Sequence, residues 1–213
     1  MSKVHPIDPI RPDMKVIASA AAHIKNGGMV IFPTRHLYGI AVDPWNPAAV
    51  RRLFETKMRP PHKPILILTP SEMEVTAFTV EIPPIAKLMM DAFWPGNITL
   101  VLKAARTVPD TITAGTGKIG IRISAHPVAS ALAKCSGMAI TGTSANESGC
   151  PGVNSIDHLS ARLHQTADLI LDAGTLIPGT GSTVVDATPD RPIVLREGTI
   201  SRSEIQKILE SGR

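Results

Sequence analysis

Apolar positions recur along the chain at two spacings, and the alternation of the two predicts alternating helices and strands. From residue 14 to residue 25, apolar residues return every three or four positions, which is typical of one face of a helix. Asp13 and Gly27 suit the two ends of this helix, as Asn46 and Pro47 suit the start of the next. Further helices are expected at 71–77, 84–93, 127–136, 154–164 and 201–211, the first and last of which begin with capping boxes (Ser71 with Glu74, Ser201 with Glu204).

Short apolar runs between these helices predict buried strands. The runs lie at 29–33, 38–43, 65–68, 97–102, 118–124, 138–142, 168–172, 182–188 and 192–197. Several are apolar throughout, as central strands covered on both faces are. Since no repeat, low-complexity tract or linker interrupts the pattern, we expect a single α/β domain over residues 1–213, with a twisted mixed β-sheet and flanking helices.

Composition and charge narrow the range of partners. With 43% hydrophobic residues, a chain of 213 residues can bury a full core. Its formal net charge of +4 favours phosphorylated or nucleic-acid partners, although a merely basic surface gives the same value. The two cysteines, Cys135 and Cys150, are too few for a disulfide framework and lack zinc-ligand spacing. Since no apolar leader opens the chain and no run of about 18 apolar residues follows, we expect a cytoplasmic protein without a membrane span.

A loop of cations and prolines follows the second predicted helix. Its sequence, ETKMRPPHKP, carries Lys57, Arg59 and Lys63, and the prolines restrict its conformations. Cations at the end of a helix often do no more than face the negative end of its dipole. Several cations on one stiff loop also suit an anion, so a phosphate site is the alternative.

Small polar residues follow three of the predicted strands. The segment TGTSANESGCPG contains Ser144, and similar clusters surround Ser182 and Arg196. Hydroxyl and backbone N–H groups in such segments bind phosphates or base edges, but the same residues also form ordinary turns. The string GTGKIG (115–120) matches the dinucleotide pattern only formally, because it precedes a strand instead of opening a helix. Together, the strand ends and the cation loop suggest one shared ligand crevice.

Seven short motifs occur in a fixed order: FPT…YG, KxRP, FWPG…TLVL, IRIS.HP, TSAN.SG, GSTVVD and LREG. In that order they make the chain, over about residues 15–200, resemble the YrdC-type threonylcarbamoyl-AMP synthases. The resemblance implies a twisted α/β fold with a deep, positively lined crevice. It also implies a reaction that joins L-threonine, bicarbonate and ATP into threonylcarbamoyl-AMP and pyrophosphate, with Mg²⁺ on the ATP phosphates.

The resemblance also implies roles for individual residues and partners. It places the family's catalytic Lys-x-Arg and Ser-x-Asn pairs at Lys57, Arg59, Ser144 and Asn146. It assigns ATP contacts to Arg59, Lys63, Lys118, Ser144, Gly152 and Arg196, and amino-acid contacts to Thr34, His36, Arg122, Gly142 and Ser182. The product would serve tRNA modification, so tRNA or double-stranded RNA and a threonylcarbamoyl transferase complex are the further partners implied.

One turn departs from the family pattern. Where the family usually has Pro-Thr-acid-Thr-x-Tyr-Gly, this chain has Arg35 and His36 at the acidic and second threonine positions. The change leaves open a second function, that of a paralogue that binds RNA or a nucleotide but no longer makes the adenylate. Longer family members carry an additional C-terminal domain, which a chain of 213 residues is not expected to hold.

Overall fold

A computed structural model describes residues 3–211 and confirms the mixed α/β architecture. The strands are β1 (Val4–Pro6), β2 (Val30–Pro33), β3 (Tyr38–Ala41), β4 (Ile67–Leu68), β5 (Ile98–Lys103), β6 (Lys118–Arg122), β7 (Ile140–Thr141), β8 (Thr143–Ser144), β9 (Leu169–Asp172), β10 (Thr183–Asp186) and β11 (Ile193–Arg196). The helices are α1 (Met14–Lys25), α2 (Pro47–Thr56), α3 (Val75–Phe78), α4 (Pro84–Phe93), α5 (Asp110–Thr113), α6 (Pro127–Ser136), α7 (Ala161–Thr166) and α8 (Arg202–Ser211). None of the helices in the described range is long and apolar enough to cross a membrane.

The strands form two mixed sheets, where the sequence led us to expect one. Sheet I has the order β1-β9-β2-β3-β8, and sheet II has the order β11-β10-β5-β6-β4-β7. The chain passes from sheet II to sheet I at Gly142, because β7 before it pairs with β4 and β8 after it pairs with β3. A hydrophobic pattern cannot reveal this crossing, since it records burial and not the partner strand.

Two apolar clusters hold the sheets and helices together. The larger cluster joins both sheets, with Ile31 and Ile40 from sheet I and Leu100 and Ile121 from sheet II all fully buried. The smaller cluster joins sheet I to helices α1 and α6, which pack against each other. The buried residues of α1 are Ile17, Ala20, Ala21 and Ile24. Their spacing is the one that predicted the helix.

Capping hydrogen bonds confirm the predicted starts of three helices. The Asp13 carboxylate accepts a hydrogen bond from the backbone N–H of Lys15 at the start of α1. The Asn46 side-chain oxygen accepts from two backbone N–H groups of the first turn of α2. Before α8, the backbone N–H of Ser201 donates to the Glu204 carboxylate, and the backbone N–H of Glu204 donates to the Ser201 hydroxyl.

Some short elements differ from the predicted pattern. Ser71 makes no side-chain capping bond, so that capping box is wrong, and a 3₁₀ turn (Glu72–Glu74) leads into α3. The helix expected at 154–164 is a 3₁₀ turn (Ile156–His158) followed by α7, which Ser160 caps. The sequence did not predict β1, β8 or α5, which have 3, 2 and 4 residues and are too short to show a periodicity.

An ion pair joins α2 to the start of β9. Arg52 donates through Nη1 to Asp168 Oδ2 at 2.7 Å and through Nη2 to Oδ1 at 2.9 Å. The same carboxylate accepts a hydrogen bond from the backbone N–H of Met29 at 2.6 Å, directly before β2. Burial alone would raise the pKa of Asp168, but the hydrogen bonds from Arg52 and Met29 outweigh it and hold the pKa below its usual value.

We expect Asp168→Ala to lower the free energy of unfolding by about 1–2 kcal/mol at neutral pH, because Arg52 and the Met29 N–H lose their acceptor. Since the folded pKa is depressed, the ionised carboxylate stabilises the fold above its unfolded pKa of about 4, and this contribution is lost as the pH falls through the folded pKa. The difference from wild type should therefore shrink below about pH 4.

Urea denaturation at about pH 7 and about pH 3 measures this difference. Asp190→Ala changes an exposed carboxylate and should have little effect at either pH. A stability loss that is the same at both pH values would contradict the ionic role of Asp168.

Candidate functional site

A cavity of about 790 Å³ has walls from both sheets and from the turn between β2 and β3. Its lining includes every residue that the resemblance assigned to the site except Lys57 and Lys63: Thr34, His36, Arg59, Lys118, Arg122, Gly142, Ser144, Asn146, Gly152, Ser182 and Arg196. The cavity matches the shared crevice expected from the sequence.

Alternate residues of two central strands of sheet II form one wall of the cavity. Strand β5 contributes Thr99 and Val101, and β6 contributes Lys118, Gly120 and Arg122. Because side chains alternate between the faces of a strand, Lys118 and Arg122 lie on the same face with Cα atoms about 13 Å apart. This wall therefore has a cation at each end and an uncharged stretch between them.

Four arginines lie on the cavity lining, and none of them has a carboxylate partner within the described residues: Arg35, Arg59, Arg122 and Arg196. Arg59, Arg122 and Arg196 each donate hydrogen bonds. Their hydrogen bonds go to neutral oxygens: Arg59 to the carbonyls of Lys63 and Pro64, Arg122 to the carbonyl of Gly96 and the side chain of Asn97, and Arg196 to Ser182. Neutral oxygens orient a guanidinium group without cancelling its charge. The positive potential therefore remains available to a bound anion.

Arg196 lies close enough to Arg122 for its charge to affect the pKa of Arg122. Burial, with a smaller contribution from the charge of Arg196, lowers the pKa of Arg122 to about 10. His126 lies near Arg122. Burial and, after it, the charge of Arg122 lower the pKa of His126 to about 4. This histidine is therefore neutral at pH 7. Its side chain makes no capping bond to α6, and its buried Nδ1 has no hydrogen-bond partner among the described residues.

At the opposite end of the wall formed by β5 and β6, Lys118 forms an ion pair with Asp186. Lys118 Nζ lies 2.7 Å from Asp186 Oδ2, while Asp186 Oδ1 accepts hydrogen bonds from the backbone N–H and the hydroxyl of Thr188. Burial alone would raise the pKa of Asp186, but the hydrogen bonds from Lys118 and Thr188 hold it below its usual value. The carboxylate neutralises Lys118 and fixes its position. Sequence reasoning missed Asp186, although the motif GSTVVD contains it, because its partner is 68 residues away.

Lys57 supports a loop of the cavity instead of lining it. The residue is 1% exposed, and Nζ donates to the carbonyls of Ser144 and Asn146 at 2.5 and 2.6 Å. The backbone N–H of Ser148 returns a hydrogen bond to the Lys57 carbonyl at 2.7 Å. Burial, and after it the charge of Arg59, lowers the pKa of Lys57 to about 7. This geometry places Lys57 behind the loop, whereas the sequence led us to expect it on the nucleotide.

The loop that Lys57 holds is folded on itself. The Ser144 hydroxyl donates to the side-chain oxygen of Asn146, whose amide nitrogen donates to the carbonyls of Glu147 and Cys150 at 2.9 and 2.5 Å. These are bonds of an ordinary polar turn. Ser144 and Asn146 also line the cavity. The sequence offered a turn and a ligand-binding segment as alternatives, and the structure shows that the same segment forms a turn and lines the cavity.

The resemblance also assigned ATP contacts to Lys63 and Gly152, and the structure shows what each of these residues contacts instead. The Lys63 side chain is exposed and outside the cavity lining, and its backbone carbonyl orients Arg59. A direct ATP contact from Lys63 therefore has no support in this geometry. Gly152 lies on the cavity lining, and a Cβ there would lie 2.8 Å from Leu37 Cδ1, so the end of the Leu37 side chain would have to shift.

The turn between β2 and β3 forms another wall of the cavity. The backbone N–H and the hydroxyl of Thr34 both donate to the Leu37 carbonyl, which closes the turn. The Tyr38 hydroxyl donates to the Gly174 carbonyl at 2.7 Å and accepts from the backbone N–H of Ala173 at 2.9 Å. Burial raises the pKa of Tyr38 to about 12. The only tyrosine of the chain thus ties the turn to the end of β9.

The chain is similar in sequence and structure to a group of known proteins. The family model described as Telomere recombination (Sua5/YciO/YrdC) matches residues 22–198. The chain is 36% identical over 193 residues to the Pyrococcus abyssi protein named threonylcarbamoyl-AMP synthase, and 37% identical over 182 residues to a protein of the same name from Alkalilimnicola ehrlichii. A solved structure of P. abyssi Sua5 complexed with L-threonine matches with a TM-score of 0.92 and 34% identity.

The length that these proteins share with the chain varies. The first match covers 91% of this chain but 57% of the P. abyssi protein, and the structural match covers 98% of this chain and 61% of the other. The A. ehrlichii match covers 85% of this chain and 90% of its relative. The chain therefore spans little more than half of some relatives and most of others.

We expect the stability of the wild type, relative to Lys57→Met, to rise as the pH increases from about 7 to about 10. The folded pKa of Lys57 is about 7, whereas an unfolded lysine titrates near 10.4. Between these values the unfolded chain binds a proton that the folded chain has lost, so raising the pH favours folding. Below the folded pKa the amine is charged in the folded protein as well, so the free energy of folding then includes the full cost of burying that charge.

Urea denaturation of both proteins at several pH values in this range checks the trend. Lys63→Met, which removes an exposed amine from the same loop, should leave the pH dependence of wild type unchanged. A stability difference between wild type and Lys57→Met that stays constant with pH would rule out a depressed pKa.

Proposed function

Because the chain belongs to the Sua5/YciO/YrdC family, we propose that it is a threonylcarbamoyl-AMP synthase, an enzyme that joins L-threonine, bicarbonate and ATP into threonylcarbamoyl-AMP and pyrophosphate. The observation that carries the proposal is the cavity, whose lining includes Arg59, Arg122 and Arg196 with uncompensated charges. A nucleoside triphosphate and an amino-acid carboxylate supply the negative groups that such arginines bind.

The amino acid occupies the Arg122 end of the cavity in this proposal. The guanidinium group of Arg122 would bind the carboxylate, and the nearby Ser182 hydroxyl, which lies 2.8 Å from that of Thr99, would orient the rest of the substrate. Gly142 leaves space there, since a Cβ at this position would lie 2.7 Å from the side chains of Leu66 and Leu68. A related Sua5 structure contains L-threonine, which supports the same substrate class here.

The triphosphate would lie along the remaining cations and the polar loop. Arg59 and Arg196 would bind the phosphates, and the polar groups of Ser144 and Asn146 would orient the nucleotide. Negative charge grows on the leaving pyrophosphate as the adenylate forms, and fixed guanidinium groups stabilise that charge. Lys57 contributes by holding the loop. The chain's own residues would therefore act by positioning and electrostatics, without a covalent enzyme intermediate.

Mg²⁺ belongs to the proposal as the ion that accompanies ATP. The described residues include no group of three or more His, Cys, Asp or Glu side chains placed to hold a metal. Asp186 and Glu197 are the carboxylates on the cavity lining, and they are engaged with Lys118 and Arg202. These residues do not fit a dedicated metal site, so the ATP phosphates and water would be the ligands of the ion.

The remaining partners are part of the same proposal. Bicarbonate would supply the carbamoyl carbon, and the product would pass to a threonylcarbamoyl transferase complex that modifies tRNA in the cytoplasm. The net charge of +4 favours association with an RNA-containing assembly.

A second candidate function is a paralogue that binds a nucleotide or RNA without making the adenylate. The observation in its favour is His36, which replaces the threonine of the family pattern on the cavity lining. Against it stands the full set of Arg59, Ser144 and Asn146 in one cavity, because RNA-backbone binding alone requires only positive charge.

Pyrophosphate release from ATP distinguishes the two functions. A synthase should release pyrophosphate only when both bicarbonate and L-threonine are present, and should form threonylcarbamoyl-AMP in equal amount. Omitting each substrate in turn and replacing L-threonine by L-serine or L-valine supply the controls. ATP binding without threonine-dependent turnover would favour the paralogue.

We expect Arg59→Ala to lower kcat/KM for pyrophosphate release by about 10- to 150-fold, since loss of a charge-assisted contact costs about 1.5–3 kcal/mol. The melting temperature should change little, because the hydrogen bonds of Arg59 are local, to the carbonyls of Lys63 and Pro64. Arg106→Ala removes an exposed arginine outside the cavity lining and should retain full activity. Unchanged turnover in folded Arg59→Ala would remove this residue from the phosphate site.

A further inference from the structure

The loop between β9 and β10 runs along the rim of the cavity and is held at both ends. At its start, the Tyr38 hydroxyl binds the backbone of two residues. At its end, the backbone N–H of Thr199 donates to the Gly181 carbonyl at 3.1 Å, and Thr180, Gly181 and Ser182 line the cavity. The position of the segment between these anchors decides the shape of the rim.

The middle segment, Ile177–Gly179, has one hydrogen bond within the described part of the chain. His36 Nδ1 lies 3.0 Å from the Ile177 carbonyl oxygen. Because a carbonyl oxygen only accepts, Nδ1 carries the proton of this bond. Pro178 has no N–H to contribute, and Ile177 is 73% exposed, so burial of its side chain does not hold the segment.

His36 also contacts the segment at Gly179. A Cβ on Gly179 would lie 2.4 Å from His36 Nδ1 and 2.6 Å from Cγ. The imidazole ring therefore packs directly on the glycine backbone. A residue with a side chain at position 179 would displace the ring from its hydrogen bond to Ile177.

From these two contacts we infer that His36 is a positioning residue that latches Ile177–Gly179 against the β2–β3 turn and so closes the amino-acid end of the cavity. The inference rests on the proposed synthase function. Ser182 follows Gly179 by three residues, a span of at most about 10 Å, so the latch fixes the rim next to the residue expected to orient the amino acid. Nδ1 is occupied by the Ile177 carbonyl and is not available to the substrate, so we assign the effect of His36 on the substrate to the loop that this bond holds.

Chymotrypsin cleavage of the native protein tests the latch independently of catalysis. The protease cuts after bulky apolar residues such as leucine, and Leu176 is buried, so cleavage of the Leu176–Ile177 bond, identified by fragment mass, reports opening of the segment. We expect His36→Leu to raise the cleavage rate about five- to tenfold, the factor that one ordinary hydrogen bond supplies. His36→Asn should stay within about twofold of wild type, because Asn Nδ2 takes the place of Nδ1. Equal cleavage of His36→Leu and wild type would overturn the inference.

Gly179→Ala disturbs the same contact from the other side. In the wild-type background its Cβ should displace the imidazole and raise cleavage about as much as His36→Leu does. In a His36→Ala background the ring is absent, and the same substitution should add less than about twofold. An equal effect of Gly179→Ala in both backgrounds would overturn the contact.

The synthase assay links the latch to the substrate. His36→Leu and Gly179→Ala should raise the KM for L-threonine by about five- to tenfold and leave the KM for ATP within about twofold of wild type. If the wild type releases no pyrophosphate, the proposed function fails while the cleavage rates still decide the latch. If cleavage increases but the KM for L-threonine does not, the segment does not control the amino-acid end, and the inference is overturned.

Discussion

The whole site depends on one strand that changes sheets. Strand β7 belongs to sheet II and β8 to sheet I, and Gly142 separates them. A Cβ at this corner would lie 2.7 Å from the side chains of Leu66 and Leu68 in the region of β4, so a glycine suits the point where the chain leaves sheet II. The crossing brings the polar loop that begins at Ser144 into the same cavity as the cationic strand of sheet II.

Charge in the cavity is left uncompensated at one end. Asp186 neutralises Lys118, whereas Arg122 and Arg196 have only neutral acceptors within the described residues. Burial and, to a smaller extent, the charge of Arg196 make the charged form of Arg122 less stable and lower its pKa to about 10. A bound carboxylate or phosphate would relieve both costs. The arrangement therefore lowers the stability of the empty protein and favours anion binding at a defined end of the cavity.

Local signals in the sequence predict much of the fold, and long-range contacts account for what they miss. Helix α6 spans Pro127–Ser136 as its proline and apolar spacing indicate, and the caps of α1 and α2 lie at Asp13 and Asn46. The direction of the Lys57 side chain, by contrast, cannot be predicted from local sequence. A lysine at a helix end has the same sequence pattern whether its amine faces solvent or a carbonyl 87 residues away. The motifs therefore predict most of the residues that line the cavity, but they do not predict which atoms each side chain contacts.

The turn FPTRHLYG shows how a departure from a family motif can add an interaction. Within three residues the turn reaches the β9–β10 loop twice, through the Tyr38 hydroxyl at Gly174 and through His36 at Ile177. A threonine hydroxyl is attached directly to Cβ, one atom nearer the backbone than Nδ1, so threonine at position 36 would not reach the same carbonyl with the backbone unchanged. Replacing it by histidine removes a small polar group from the cavity wall and fixes the adjoining rim. The substitution is thus compatible with a retained amino-acid pocket, because the rim gains the hydrogen bond that a threonine could not supply.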